Sequence, residues 1–438
     1  MARNLLYSND KRSGYPSSWY AATALTTPEC PSLADSVSCD ICIVGAGFTG
    51  LSAALCLLER GYNVVLLDAH RVGWGASGRN GGQLGSGQRL DQSDLEAAYG
   101  MEQAMALWKL AENAKQLVSQ LIEQHNIDCD YVPGIIHADH KPGFASSTKA
   151  YVEKLTGLYN YKEIEYIDRP ALGALIGSDA YYCGSVDRGS GHLHPLKYVL
   201  GLANAATNAG LHLYERSEVV GVSASADNKR VVVKTAAGQV TAQQVLLGCN
   251  GYLGNLQPKV AAHVMPINNY IIATEPLPQS LYETILPENM AVADSRFVVN
   301  YFRKSADRRL LFGGRESYGY QFPEDIKSFV RTAMLAIYPQ LDKTKIDYGW
   351  GGTLAITMNR MPYLKTVAPN VVSASGYSGH GVGMATLAGR LAAESMAGNL
   401  ERFDVLSQLR HRKFPGGVAL RSPLMKLGML YYMLRDRL

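Results

Sequence analysis

The stretch Cys39–His70, CDICIVGAGFTGLSAALCLLERGYNVVLLDAH, decides the fold. Ile41, Ile43 and Val44 form a short β-branched run of the kind buried in a parallel sheet. Gly45, Gly47 and Gly50 then occupy G-x-G-x-x-G, and Leu51, Ala54, Leu55 and Leu58 follow at helical spacing until Gly61. A second apolar run, Asn63 to Leu67, closes on Asp68. The three glycines do different things. Gly45 permits a tight turn, Gly47 removes a side chain that would block a pyrophosphate, and Gly50 lets helix and strand approach. The turn residues Ala46, Phe48 and Thr49 share that phosphate-facing backbone, and Asp68 with Ala69 falls where an acid accepts hydrogen bonds from a ribose. The pattern predicts a βαβ dinucleotide site, and the acid disfavours a 2′-phosphate.

Composition agrees with a globular protein binding small molecules. The 438 residues are 47% hydrophobic, enough for two domains, and 42 basic against 38 acidic residues leave a charge of only +4, which argues against nucleic acid. The apolar run Cys39–Leu58 is broken by glycines where a strand should become a helix, so no transmembrane segment is expected. The start, MARNLLYSNDKRSG, lacks a signal-peptide core and reads as a solvated arm, which with seven cysteines, an odd number partly inside apolar runs, predicts a reducing, cytoplasmic setting. Cys39 and Cys42 point to opposite faces of a strand, which argues against a redox or zinc pair. His192 and His194 lack the companion ligands of a metal site, so no metal is expected.

The glycine-rich stretch Gly73–Gly87, GWGASGRNGGQLGSG, interleaves Trp74, Arg79, Asn80 and Gln83, which a plain linker would not carry. Gly75, Ala76, Gly81 and Gly82 expose backbone to a ligand, with Ser77, Arg79 and Asn80 as candidate contacts to phosphate and ribityl oxygens. Downstream, Val371–Ala374 reads as a strand, Gly376–Gly383 as a glycine turn and Met384–Ala397 as a helix, giving a second helix N-terminus. Val245–Asn250 reads as a strand returning to the nucleotide-binding sheet.

The pieces GAGFTGLSAA, RVGWGASGRNGGQ and ASGYSGHGVGMATLAGR resemble the FAD-dependent oxidoreductases of the D-amino-acid oxidase and sarcosine oxidase superfamily, and most closely γ-glutamylputrescine oxidases, from SWYAA at Ser18 through DRGSGHLHPL to FPGG and YYMLRDRL. The resemblance implies FAD, a substrate amine oxidised by hydride transfer to flavin N5, and O2 reduced to peroxide. It places Gly376, Gly379, His380, Gly381 and Val382 against the flavin ring, with Val219 and Asn250 on the nucleotide side. A positive helix end there stabilises an anionic reduced flavin. Sarcosine oxidases can attach flavin through a cysteine in the segment matching WGGTLAIT, but no cysteine follows Cys249, so noncovalent FAD is expected.

The expected fold class is α/β (α+β overall): a Rossmann-like FAD-binding domain of segments 38–129, 186–258 and 351–415, interwoven with an antiparallel-sheet substrate domain of 130–185 and 259–350. Residues 1–37 form the arm, and 416–438, including the amphipathic PLMKLGMLYYMLRDRL, a C-terminal helical segment open to a membrane-surface, partner-docking or self-packing reading. Arg315 has three readings: an oxygen-activating charge where sarcosine oxidases place a lysine, a carboxylate clamp, or a surface residue. Arg303 is a second clamp candidate. Tyr270, Tyr301 and Tyr377 line an amine pocket or pack in the core, and His380 is a site residue or a loop buttress. The alternatives to a γ-glutamylated polyamine are a secondary or cyclic amino acid such as pipecolate, and a dehydrogenase passing electrons to a quinone or protein acceptor.

Overall fold

The computed structural model describes residues 4–25, 29–317 and 319–416. The C-terminal amphipathic segment therefore lies outside the described residues.

Two sheets organise the chain. In the first, the parallel strands Val371–Ser375, Gln239–Leu247, Ser36–Val44, Val64–Leu67 and His212–Tyr214 lie side by side in that order. Tyr363–Ala368 adds an antiparallel edge, and Gly221–Ala224 with Val231–Lys234 forms a hairpin on Gln239–Leu247. The central strand burial is nearly complete over Ile41–Val44 and Val64–Leu67, as expected of strands covered on both faces. Helices Phe48–Leu58 and Gly381–Met396 cover one face and pack on each other.

That packing requires glycine. A Cβ on Gly389 would stand 2.1 Å from the Thr49 carbonyl oxygen, and one on Gly50 would stand 2.0 Å from the Gly45 carbonyl oxygen. Both helices are thus brought against the βα turn, with their N-termini on the same side of the sheet.

The second sheet has nine strands, in the order Ile346–Ile356, Met265–Thr274, Leu310–Ser317, Tyr301–Lys304, Ala291–Asp294, Val132–Asp139, Cys183–His192 and Gln83–Leu84, with Ile164–Ile167 paired to Cys183–His192. It is antiparallel except where Ala291–Asp294 meets Val132–Asp139. Two expected boundaries fall inside strands: Cys183–His192 and Ile346–Ile356 pair within this sheet. The chain therefore crosses between sheets after His192 and after Ile356, because ladder pairing continues through residues 186–192 and 351–356. A pair of residues from the glycine-rich loop, Gln83 and Leu84, also joins this sheet.

The amino-terminal arm, read from composition as solvated, is part of the wall between the sheets. The Asp10 carboxylate pairs with Arg79 at 2.7 Å, Trp74 Nε1 donates to the Gly14 carbonyl, and Tyr7 donates to Glu218. These polar groups are committed to partners distant in sequence.

Gly389→Ala is expected to destabilise the fold by about 1–3 kcal/mol, the usual cost of forcing atoms into a packed contact. Urea denaturation of the holoprotein checks this; an unchanged midpoint would contradict the close helix approach.

Candidate functional site

A cavity of about 1610 Å³ runs between the two sheets. It exceeds the roughly 300–1,000 Å³ of an ordinary small-molecule site, leaving space for a large cofactor and a second molecule.

The βα turn forms one end. Gly45 has φ +109 and would place a Cβ 2.9 Å from the Gly248 carbonyl oxygen, while a Cβ on Gly47 would meet Ser77 Oγ at 2.7 Å. Gly47 caps helix Phe48–Leu58 with no side chain, so the helix end opens to the cavity as an anion site. The cradle thus fits a dinucleotide pyrophosphate at the level of backbone geometry. Asp68 accepts from the amides of Ala46 and His70, at 2.8 Å each, and faces the same cavity as Ala69 and Val219. Burial raises its pKa to about 6, against the pull of those two amides.

The glycine-rich loop shapes the cavity through its own polar groups. Ser77 Oγ accepts from the Phe48 amide; Asn80 donates to the carbonyls of Ala76 and Ser77 and accepts from Gly82. Arg79, 3% exposed, donates to Trp74 and Gly351, pairs with Asp10 and lies over the Trp74 ring. Its Nη2 is buried without a partner among the described residues, a donor left for a ligand. Gly75, Ala76, Gly81 and Gln83 line the cavity, whereas Gly50, Gly82 and Gly376 stand behind the wall. Gly82 is needed there: at φ +75, a Cβ would meet the Leu193 carbonyl oxygen at 2.0 Å.

The second glycine turn meets the first. Tyr377 is hydrogen-bonded to Thr49 Oγ1 at 2.7 Å, and Gly376 donates to Asn250 Oδ1 at 3.0 Å. Burial raises the Tyr377 phenol, so it remains neutral. His380 stands at the start of helix Gly381–Met396 with no capping bond, and Gly379, Gly381 and Val382 join it on the wall. Burial and then the Arg89 charge lower its pKa to about 4, so the imidazole is neutral at physiological pH.

The second sheet supplies the opposite wall. Tyr301 lies against Gly81 and Gly313, where added Cβ atoms would meet its ring at 2.7 and 2.1 Å, and its hydroxyl donates to Asn269 Oδ1. Tyr270 does not reach the cavity; it packs in the core beneath that sheet and bonds Ser317. Arg315 does not reach it either. It sits at φ +63 in a bulge, because Asn269 pairs with Glu316 and Tyr270 with Gly314, and its guanidinium bonds Thr332. Arg303 is 3% exposed and donates to Gly81, Lys304, Tyr20 and Leu193, so it buttresses the glycine loop.

The free charges of the cavity lie elsewhere. Arg89 and Arg360 both face it and have no ion-pair partner among the described residues, and Arg360 holds a left-handed backbone at φ +58. Burial and then the charge of Arg360 lower the Arg89 pKa. The sequence signal for this is the run Gln88-Arg89-Leu90-Asp91, two charges between the glycine loop and the next helix. His192 and His194 are core residues, bonded to Asn289 and to Thr23 and Lys197, and burial first lowers their pKa values to about 3 and 2. Among the described residues no three metal-ligating side chains converge, and no helix is long and apolar enough to cross a membrane.

A parallel nucleotide-binding sheet carrying two glycine turns, with a cavity roofed by a second, largely antiparallel sheet, defines a dinucleotide-dependent oxidoreductase. The chain belongs to the FAD dependent oxidoreductase family, whose model matches residues 40–395, and FAD is its cofactor. It is 44% identical to a probable oxidoreductase OrdL of Rhizobium meliloti (strain 1021), over 96% of this chain and 97% of that protein. It is 40% identical to the gamma-glutamylputrescine oxidoreductase of Escherichia coli (strain K12), over 97% of this chain and 99% of that protein. Among solved structures, glycine oxidase from Geobacillus kaustophilus superposes with a TM-score of 0.71 at 21% identity, covering 86% of this chain and 100% of that one, a likeness of fold.

The nucleotide end can be tested at two residues. Gly47→Ala, which drives a methyl group against Ser77, is expected to weaken FAD retention at least tenfold, read by titrating the apoprotein with FAD. An ionised Asp68 accepts ribose hydroxyls, so FAD affinity should fall as pH drops through about 6. Stability of the apoprotein should move oppositely: the raised pKa stabilises the fold at low pH, and this contribution is lost as pH rises from the unfolded value through about 6. Asp68→Asn should flatten both slopes; slopes that persist in this variant would assign them to another group.

Proposed function

We propose that the protein is an amine oxidase with noncovalently bound FAD, and that its substrate is γ-glutamylputrescine or a similar amine carrying a carboxylate. The observation that carries this reading is the pair Arg89 and Arg360, two guanidiniums facing one cavity without an ion-pair partner among the described residues. Like charges left together on one cavity wall favour an anion between them, and a carboxylate is the fitting one for planar guanidinium donors. The name of the Escherichia coli relative supports a γ-glutamylated polyamine as the molecule that bears it.

Bound FAD supplies the two-electron acceptor for oxidation of the C–N bond. The residues of the chain do the rest by placement. Gly45, Gly47, Asp68 and Ser77 hold the nucleotide half, and Tyr377, Asn250 and Thr49 lock the two glycine turns together beside it. Neutral His380 adds no cation to the wall, so it does not repel an incoming ammonium. Tyr301, fixed by Gly81 and Gly313, offers an aromatic surface for an amine chain. Holding the reacting C–H and the acceptor together is itself a large part of such catalysis.

Aerobic turnover of γ-glutamylputrescine tests the reading: one peroxide per imine formed is expected, and turnover with an artificial acceptor but no peroxide would establish a dehydrogenase instead. Arg89→Gln should raise KM about ten- to hundredfold for this substrate, the loss of a charge-assisted hydrogen bond, with a smaller change in kcat. After acid precipitation the yellow colour should stay in the supernatant; colour retained by the pellet would show a covalent flavin.

A further inference from the structure

We propose that Asp91 reads the α-ammonium of the substrate, so that the cavity takes an amine tethered to a free α-amino-acid head and rejects a free diamine. This rests on reading the cavity as the oxidising site for a carboxylate-bearing amine.

Asp91 occupies the N-cap of helix Gln92–Tyr99, with φ −65 and ψ 152. An aspartate there ordinarily accepts a hydrogen bond from the first turn of the helix. Asp91 makes no such bond, and the residue lines the cavity. The other carboxylates of the wall are committed. Asp68 is held by two amides, Asp139 by Thr148, and Asp187 by Tyr161 and Gly189. Glu218 is held by Asn4 and Tyr7, Asp294 by Asn300 and Arg296, and Glu316 also has a partner. Among the described residues, Asp91 is the wall carboxylate left without a hydrogen bond or an ion pair.

The arginines sort the same way. Arg79 is paired with Asp10 and Arg296 with Asp294, leaving Arg89 and Arg360. Arg89 feels the charge of Asp91, two residues away, yet the two form no ion pair. Two cations and one anion thus face one chamber with no ion pair between them, and their charges act across it at a distance. An α-amino-acid head carries a carboxylate and an ammonium on a single carbon, and it satisfies both signs at once. A free diamine brings a second cation toward Arg89 and Arg360 and no carboxylate for them, so the same wall that attracts the zwitterion repels it. Asp91 is exposed to the open cavity, so its carboxylate is within reach of a ligand, and a head group that displaces water there strengthens the pairing.

The test compares γ-glutamylputrescine with N-glutarylputrescine, which lacks only the α-amine, in holoenzymes matched for FAD content and thermal midpoint. The wild type should prefer the γ-glutamyl compound at least tenfold in kcat/KM, a loss typical of one charge-assisted hydrogen bond. Asp91→Asn should bring that ratio near one through KM, whereas Arg89→Gln should weaken both compounds. A wild-type ratio near one, or a ratio that Asp91→Asn leaves as it was, overturns the assignment. Should the wild type oxidise neither compound, the reading of function fails separately. Calorimetric binding of γ-glutamylbutylamide and glutarylbutylamide, which lack the terminal amine, then decides the site: a tenfold preference lost in Asp91→Asn sustains it, and equal affinities overturn it.

Discussion

The structure depends on how closely helix Phe48–Leu58 approaches the strand before it. Gly50 lies where any Cβ would meet the Gly45 carbonyl, and Gly389 brings helix Gly381–Met396 onto Thr49 at a similar distance. Because these contacts are backbone to backbone, no rotamer change relieves them. They fix two helix N-termini beside each other at one end of the parallel strands, where ligands of open α/β sheets bind. The Tyr377–Thr49 hydrogen bond then ties the turns across the cavity wall.

Around that contact the chain divides its polar groups by use. Most of those in the glycine-rich loop hold the loop: Asn80 staples its backbone, Ser77 holds the Phe48 amide, and Arg79 joins the loop to the arm and to the second sheet. A cavity built from glycine backbone needs this reinforcement, since glycine is costly to order. Among the described residues, Arg89, Arg360 and Asp91 are the charged side chains of the wall left over, and Arg79 Nη2 is a buried donor without a partner, which is why these groups are informative. Like charges held together on one wall are unfavourable for folding, and a complementary ligand compensates them when it arrives.

Much of the fold was legible in the sequence because its signals are local. The turn at Gly45, the acid at Asp68 and the helix expected over Met384–Ala397, which the structure starts three residues earlier at Gly381, each follow from residues within a few positions of one another. The cofactor glycines split according to geometry that spacing does not encode: Gly82 and Gly376 support the wall without facing the cavity. Side-chain direction in the second sheet was not legible, since it is set by pairing register. One bulge, placing Arg315 opposite no partner, turns that guanidinium toward Thr332 and buries Tyr270, while Tyr301 on the neighbouring strand faces inward. Strands Cys183–His192 and Ile346–Ile356 run across the expected boundaries at 186 and 351 for a related reason, because ladder pairing, which local sequence does not encode, carries each strand on. The run Gln88-Arg89-Leu90-Asp91 shows two charges after the glycine loop, but nothing in it shows that neither finds a partner.

The central claim is that this cavity brings a carboxylate-bearing amine to FAD for two-electron oxidation. Anaerobic titration of the holoenzyme with γ-glutamylputrescine tests it most directly. Complete bleaching of the flavin by one equivalent is expected, with free putrescine far less effective. Bleaching by putrescine as readily as by the γ-glutamyl compound, or by pipecolate or sarcosine in preference to either, would contradict it.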